Sequence, residues 1–213
     1  MTDYDTPNRA TLNQVWDGIH QEKPFSPIPD NGLVRFTEHV QQQVHRNAPV
    51  LDLGCGRGRN SHFLSQIGFQ VYGCDWSLLA LKTANSHAPP ENSISFLAAD
   101  LTQLPYPDDF FTVIVCVHVL PYLVTSDIKL GIREIRRVLR PEGWAYVDLL
   151  DRDDAEYGIG TKLEENTFID EDGIPLHFCS KDEVNILFHD FQIHQQYRVE
   201  LGRRTFWELW ATK

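Results

Sequence analysis

The stretch LDLGCGRGRN, Leu51 to Asn60, decides the fold. Leu51 to Leu53 close a short apolar run, Gly54, Gly56 and Gly58 make a tight turn, and a helical pattern starts behind them. A strand that ends in a glycine turn and opens a helix marks the ligand edge of a parallel sheet, where exposed helix amides favour an anion. A dinucleotide turn would want a glycine where Arg59 stands. Asp52 is the stronger signal. A carboxylate within a few ångströms of a pyrophosphate repels it, at a cost of several kcal/mol at low effective dielectric. The same carboxylate suits a ligand that carries a positive group beside an anionic one.

Outward from this turn the chain alternates strands and helices. FQVYGCD, SISFLAAD, the almost wholly apolar FFTVIVCVHVL and WAYVDLL read as four further strands. Between them lie a helix from Gly58 to Ile67 ended by Gly68, a helix capped by Ser77 that carries Leu78, Leu81 and Ala84, and an amphipathic helix over Ser126–Arg140 broken by PEG. The expected fold is therefore α/β, a doubly wound and mostly parallel sheet. Before the core, Arg9 to His20 and the segment with Leu33, Phe36, Val40 and Val44 read as helices flanking a proline-rich loop. After it, Asp151 to Ser180 shows no sustained period and reads as an insertion over the strand ends. A short helix and two closing strands, FQIHQQYRVE and RRTFWELWAT, follow. The whole is expected to be a single domain over 1–213, with 1–46 as amino-terminal helices and lid, 47–150 as ligand-binding core, 151–180 as a second lid segment and 181–213 as the closing helix and hairpin.

Composition narrows the partners. The 213 residues carry a formal net charge of −11, which opposes long-range steering of nucleic acid or anionic lipid. Neither a membrane span nor a signal peptide is visible, so a cytoplasmic setting is expected. Cys55, Cys74, Cys116 and Cys179 lack paired metal spacing, and buried reduced thiols with no metal are expected.

Charged residues recur at successive strand ends. Asp75 follows Asp52 by 23 residues, a distance at which an acid accepts hydrogen bonds from ribose hydroxyls. Asp100 could accept from an adenine amino group while Leu101 and Trp76 pack the ring. A ligand with an ammonium, a carboxylate, a sulfonium and an adenosine meets all these demands, and S-adenosylmethionine is such a ligand. VLDLGCGRGRN, GCDWS, FLAADLTQLPYPDDFFTVIV and REIRRVLRPEGWAYVDLL, in this order, resemble the consecutive motifs of class I S-adenosylmethionine-dependent methyltransferases. The resemblance implies a seven-stranded sheet with its last strand antiparallel. It also implies Asp52 near the methionine amino group, Asp75 on the ribose and Asp100 on the adenine; Gly54, Cys55, Gly56 and Asn60 are further expected cofactor contacts, and Cys116 one through its backbone. Thr112 stands where many members have aspartate. GRGRN with FLSQIGFQVYGCDWS more narrowly resembles the tellurite-resistance-type small-molecule branch.

The methyl acceptor is expected to be a small molecule with a nucleophilic O, N, S or metalloid atom, and the protein a monomer or homodimer. His118 is the leading candidate base, His177 the next, and Tyr122 a candidate pocket wall. The Arg133, Arg136, Arg137 and Arg140 cluster suits a solvated helix face near a helix carboxyl end. Two alternatives stay open: a regulatory module that binds the cofactor without catalysis, and a nicotinamide-dependent oxidoreductase.

Overall fold

A computed structural model describes residues 8–22, 24–88 and 94–213; the first seven residues and Ser93, at the head of the third strand read above, lie outside them. Five parallel strands form the core: β1 (Pro49–Leu53), β2 (Gln70–Asp75), β3 (Ile94–Ala98), β4 (Phe111–Cys116) and β5 (Leu139–Asp151), in the order β3-β2-β1-β4-β5. The closing hairpin is β9 (Gln192–Leu201) and β10 (Arg204–Thr212). β10 runs antiparallel to both β5 and β9, so β9 is parallel to the core. These seven strands match the expected sheet, with β10 alone reversed, but three short strands of the insertion extend it to ten.

Period-2 alternation divides the sheet between two helical layers. Val50, Val113, Val115 and Tyr146 face one cluster with Leu33, Phe36 and Val40 of α2 (Asn31–Val40) and Leu64 of α3 (Arg59–Gln66). Leu51, Leu53, Ile114 and Cys116 face the other, with Ile128, Ile132 and Ile135 of α5 (Thr125–Val138) and Val184 and Phe188 at α6 (Lys181–Leu187). Each of these buried aliphatics contributes about 1.5–3 kcal/mol. The remaining helices are α1 (Arg9–Glu22) and α4 (Leu78–His87), the latter capped by Ser77, whose Oγ accepts from the Ala80 amide at 3.0 Å.

The structure departs from the sequence reading in four places. The insertion is ordered: β6 (Thr161–Glu164), β7 (Thr167–Ile169) and β8 (Pro175–Cys179) form an antiparallel meander, and β8 pairs with the end of β5 through Leu150–Phe178 and Asp151–Cys179. Strands of three to five residues are too short for a period to show. α5 stops at Val138, and PEG lies inside β5, where Glu142 takes a φ of +59° and the β4–β5 register shifts. Leu78 is 70% exposed, and Ala80 takes its place in the buried face. α2 ends at Val40, so Val44 is buried from the following turn. No helix among the described residues is long and apolar enough to cross a membrane.

Candidate active site

A cleft opens where β1, β2 and β4 end, lined by Gly54, Gly56, Asp75, Trp76, Leu101, His118, Val119 and Tyr122. Parallel strands place these consecutive carboxyl ends on one edge, which is why residues far apart in sequence meet there.

The glycine turn is a backbone cradle. Gly54, Gly56 and Gly58 have φ values of +69°, +51° and +86°, the left-handed region that favours glycine. A Cβ on Gly54 would lie 2.2 Å from Val119 Cγ2. Gly54→Ala is therefore expected to lower the melting temperature and abolish tight cofactor binding, checked by thermal denaturation and calorimetry separately. A stable variant with normal affinity would mean that the turn does not hold the ligand.

Asp75 reaches over this cradle. Its two oxygens accept from the Gly56 amide at 2.8 Å and the Ser77 amide at 2.9 Å. Burial raises its carboxyl pKa, and these two amides oppose the rise. The carboxylate thus orders the cradle. Asp75→Ala is expected to weaken S-adenosylhomocysteine binding by about 1.5–3 kcal/mol, the range for hydrogen bonds to a charged group. Titration calorimetry on the folded variant reads this, and unchanged affinity takes Asp75 out of the site. Trp76 and Leu101 supply apolar walls, so an adenosine fits the cleft beside them.

Several expected contacts lie elsewhere. Asp52 is 1% exposed, outside the cleft lining, and accepts from Ser61 Oγ at 2.5 Å. Burial pushes its carboxyl up to about 6. Asn60 is buried under the cradle, where its Oδ1 accepts from the Asp30 amide at 3.1 Å. The Cys55 and Cys116 side chains are buried and do not line the cleft. All four cysteines are free. Asp100 turns to α1, where Arg9 pairs with it, and it also accepts from the Thr102 amide and hydroxyl at 2.8 and 2.7 Å. His177 is not at the cleft: it faces Thr167 and Glu183 from inside the meander, and burial lowers its imidazole pKa.

His118 does line the cleft, and the structure gives it partners that sequence reading missed. It follows β4 with a φ of +57°. Its backbone amide donates to Asp148 Oδ1 at 2.7 Å, and its Nδ1 lies 2.6 Å from Asp148 Oδ2, an ion-pair contact off the hydrogen-bond axis. Nε2 is 3.9 Å from Asp30, the cap of α2. Burial works to lower the imidazole pKa, but the Asp148 and Asp30 carboxylates overcome it and hold it above its ordinary value. Asp148, an acid within the apolar run WAYVDLL, was the available signal.

α1 closes the other side. Trp16 and His20 line the cleft, and Trp16 meets Tyr122 edge-on at 5.2 Å. Arg57 of the glycine turn donates to the carbonyls of His20 and Pro24, at 3.3 and 2.9 Å, and Asp17 accepts from Ser77 Oγ. Tyr122 packs on the meander through the cluster of Phe168 and Phe178, but neither phenylalanine lines the cleft.

Comparison with known proteins agrees with this geometry. Residues 51–147 match the family described as a methyltransferase domain. The Bacillus subtilis (strain 168) protein YqeM, which bears a methyltransferase name, is 29% identical over 182 residues, 83% of this chain and 68% of its own length. A tRNA N(3)-cytidine methyltransferase of Gallus gallus is 27% identical over 155 residues, 65% of this chain; the match takes in 41% of that enzyme's length. Among solved structures, the Burkholderia thailandensis 1,6-didemethyltoxoflavin-N1-methyltransferase with bound S-adenosylhomocysteine superposes with a TM-score of 0.75 at 17% identity, over 99% of this chain and 93% of its own. The matched domain, these relatives and the shared fold support a class I S-adenosylmethionine-dependent methyltransferase. S-adenosylmethionine is its cofactor.

Proposed function

We propose that this chain methylates a small molecule at a nucleophilic atom, with His118 taking the acceptor's proton. The observation that carries the reading is His118 itself, a histidine at the cleft wall with a buried carboxylate on Nδ1. When bound, S-adenosylmethionine supplies a methyl group on a sulfonium. Held at the glycine cradle and Asp75, it would offer that methyl to the acceptor and keep the S–C electron pair on its sulfur, and the acceptor proton would pass to His118 and then to solvent. Asp148 positions the ring. A positive sulfonium in the same cleft opposes the His118 proton, which favours the neutral, basic ring when the acceptor arrives. Trp16, His20 and Tyr122 exclude water from the reacting atoms, and α1 acts as the lid.

The charge of −11 supports a small acceptor rather than a polyanion. So does the state of the α5 arginines: Arg137 is tied to Glu134 at 2.7 Å and Asp108 at 2.8 Å, and Arg136 donates to the Asp190 carbonyl. The narrower resemblance to the small-molecule branch points the same way. The tRNA methyltransferase relative makes RNA the competing acceptor. The test is calorimetry with S-adenosylmethionine, then methyl transfer to a small-nucleophile library and to total tRNA. Transfer to a small molecule and none to tRNA is expected. Transfer to tRNA alone overturns the acceptor class, and cofactor binding with no transfer to either favours a regulatory module.

A further inference from the structure

A second polar site lies in the meander, away from the cleft. His177 and Cys179 alternate on β8, so their side chains share one face. Ser180 then caps α6, its Oγ accepting from the Glu183 amide at 3.2 Å, and this turn brings Glu183 back over the strand. One ligand atom from each of His177, Cys179 and Glu183 lies within 4.8 Å of the other two.

The hydrogen bonds around this trio leave a gap that a cation would fill. Thr167 Oγ donates to the Glu164 carboxylate at 3.1 Å and contacts His177 Nδ1 at 2.7 Å. A hydroxyl has one proton; with that proton on Glu164, Nδ1 is the protonated nitrogen and donates to Thr167. In the neutral ring Nε2 then presents a lone pair, and it faces Glu183 Oε1 at 3.2 Å. The other Glu183 oxygen accepts from Asn166 Nδ2, also at 3.2 Å. In this tautomer two acceptors meet at 3.2 Å, a pair that a cation would bridge. His177 is 1% exposed.

We propose that His177 Nε2, Cys179 Sγ and Glu183 Oε1 bind one divalent transition metal ion of the zinc type. Nitrogen and oxygen ligands at tetrahedral zinc are roughly 3.3 Å apart, and the pair here already stands at 3.2 Å. Sulfur needs to approach both to about 3.6 Å, a closing of at most roughly 1.2 Å from the 4.8 Å that bounds the trio. The mixed N, S, O set suits zinc; calcium and magnesium want oxygen alone. The Cys179 thiol gives up its proton to solvent on binding. Thr167 on Nδ1 and Asn166 on the second carboxylate oxygen are the outer contacts that orient metal ligands. Glu183, 25% exposed, gives the ion a way in, and water completes the coordination. The ion would clamp β8 to α6 around Phe178, which packs in the cluster beneath Tyr122. It would therefore stiffen the cleft wall without entering the cleft.

The test is titration of the full-length chain, stripped of metal, with Co2+ and Zn2+. One equivalent of Co2+ is expected to bind and give a thiolate-to-cobalt charge-transfer band, and one equivalent of Zn2+ to raise the melting temperature. Cys179→Ser should remove the band. Thr167→Val should weaken Zn2+ binding 10- to 100-fold while S-adenosylhomocysteine binding and circular dichroism stay unchanged, so that a folding defect is separable. Absence of stoichiometric binding, a band that survives Cys179→Ser, or wild-type affinity in folded Thr167→Val overturns the site.

Discussion

Replacing His118 by asparagine is expected to lower turnover 10²- to 10⁴-fold, the usual contribution of a positioned general base, while leaving cofactor affinity nearly unchanged. Asparagine is the appropriate substitution because residue 118 has a φ of +57°, and asparagine tolerates the left-handed region better than most residues. Its amide can also donate to Asp148 Oδ2, which would otherwise lose its side-chain partner and leave the carboxylate only the backbone amide of residue 118 on Oδ1. The pH profile separates a chemical role from a structural one. The Asp148 and Asp30 carboxylates, working against burial, place the imidazole pKa above the ordinary 6.5. A base must be unprotonated, so kcat/KM should rise with pH through a value above 6.5. In kcat the same limb should fall at lower pH, because the sulfonium is then bound nearby. Both limbs should vanish in His118→Asn. The measurement is steady-state kinetics with the acceptor found by the library screen. Unchanged turnover with an intact acid limb would remove His118 as the base.

The second large effect concerns stability. Asp52→Asn is expected to make the ligand-free protein more stable by about 3 kcal/mol above neutral pH, and at the same time to weaken S-adenosylmethionine binding. Burial raises the Asp52 carboxyl from 3.8 to about 6 in the folded protein. Between those values the folded state holds a proton that the unfolded chain releases. Stability therefore falls as pH rises from about 4 to about 6, and stays reduced above that. A shift of roughly two units at 1.36 kcal/mol each gives the figure of about 3 kcal/mol. Asparagine has no charge to bury and can still accept from Ser61. Denaturant unfolding at pH 8 and at pH 4 reads the effect. The variant's advantage should be present at pH 8 and nearly gone at pH 4. Equal midpoints at pH 8 would show that the buried charge is no burden. The cost has a reason if the carboxylate's field stabilises the ammonium and sulfonium of the cofactor, so the weaker binding is the necessary second half of the result.

The core sheet was legible because its signals are local. VLDL and FQVYGCD are strands by apolar run, FFTVIVCVHVL is one only over Phe111–Cys116 because the chain turns at His118, Gly54 to Gly58 form a turn by composition, and Ser77 caps a helix by its side chain. The three-strand meander was not legible, because β6, β7 and β8 owe their form to pairing with one another and with the end of β5. The same division runs through the site. Asp75, Trp76 and Leu101 could be placed from sequence, since each follows directly from the end of a parallel strand. Asp100 follows by the same rule, yet its carboxylate is taken by Arg9, which lies 91 positions earlier.

The sequence by itself determined the order of strands and helices, the glycine cradle and the edge of the sheet where a cofactor sits. Hydrophobic period and turn chemistry act over a few residues, and parallel strands must bring their carboxyl ends to one edge. Only the tertiary structure decided which side chains meet at that edge. Packing placed Asp148 of β5 against His118, carried Trp16 and His20 of α1 into the cleft and turned His177 away from it towards Cys179 and Glu183. A buried polar group must find its partner wherever the packed chain supplies one, and distance along the sequence has no bearing on that choice.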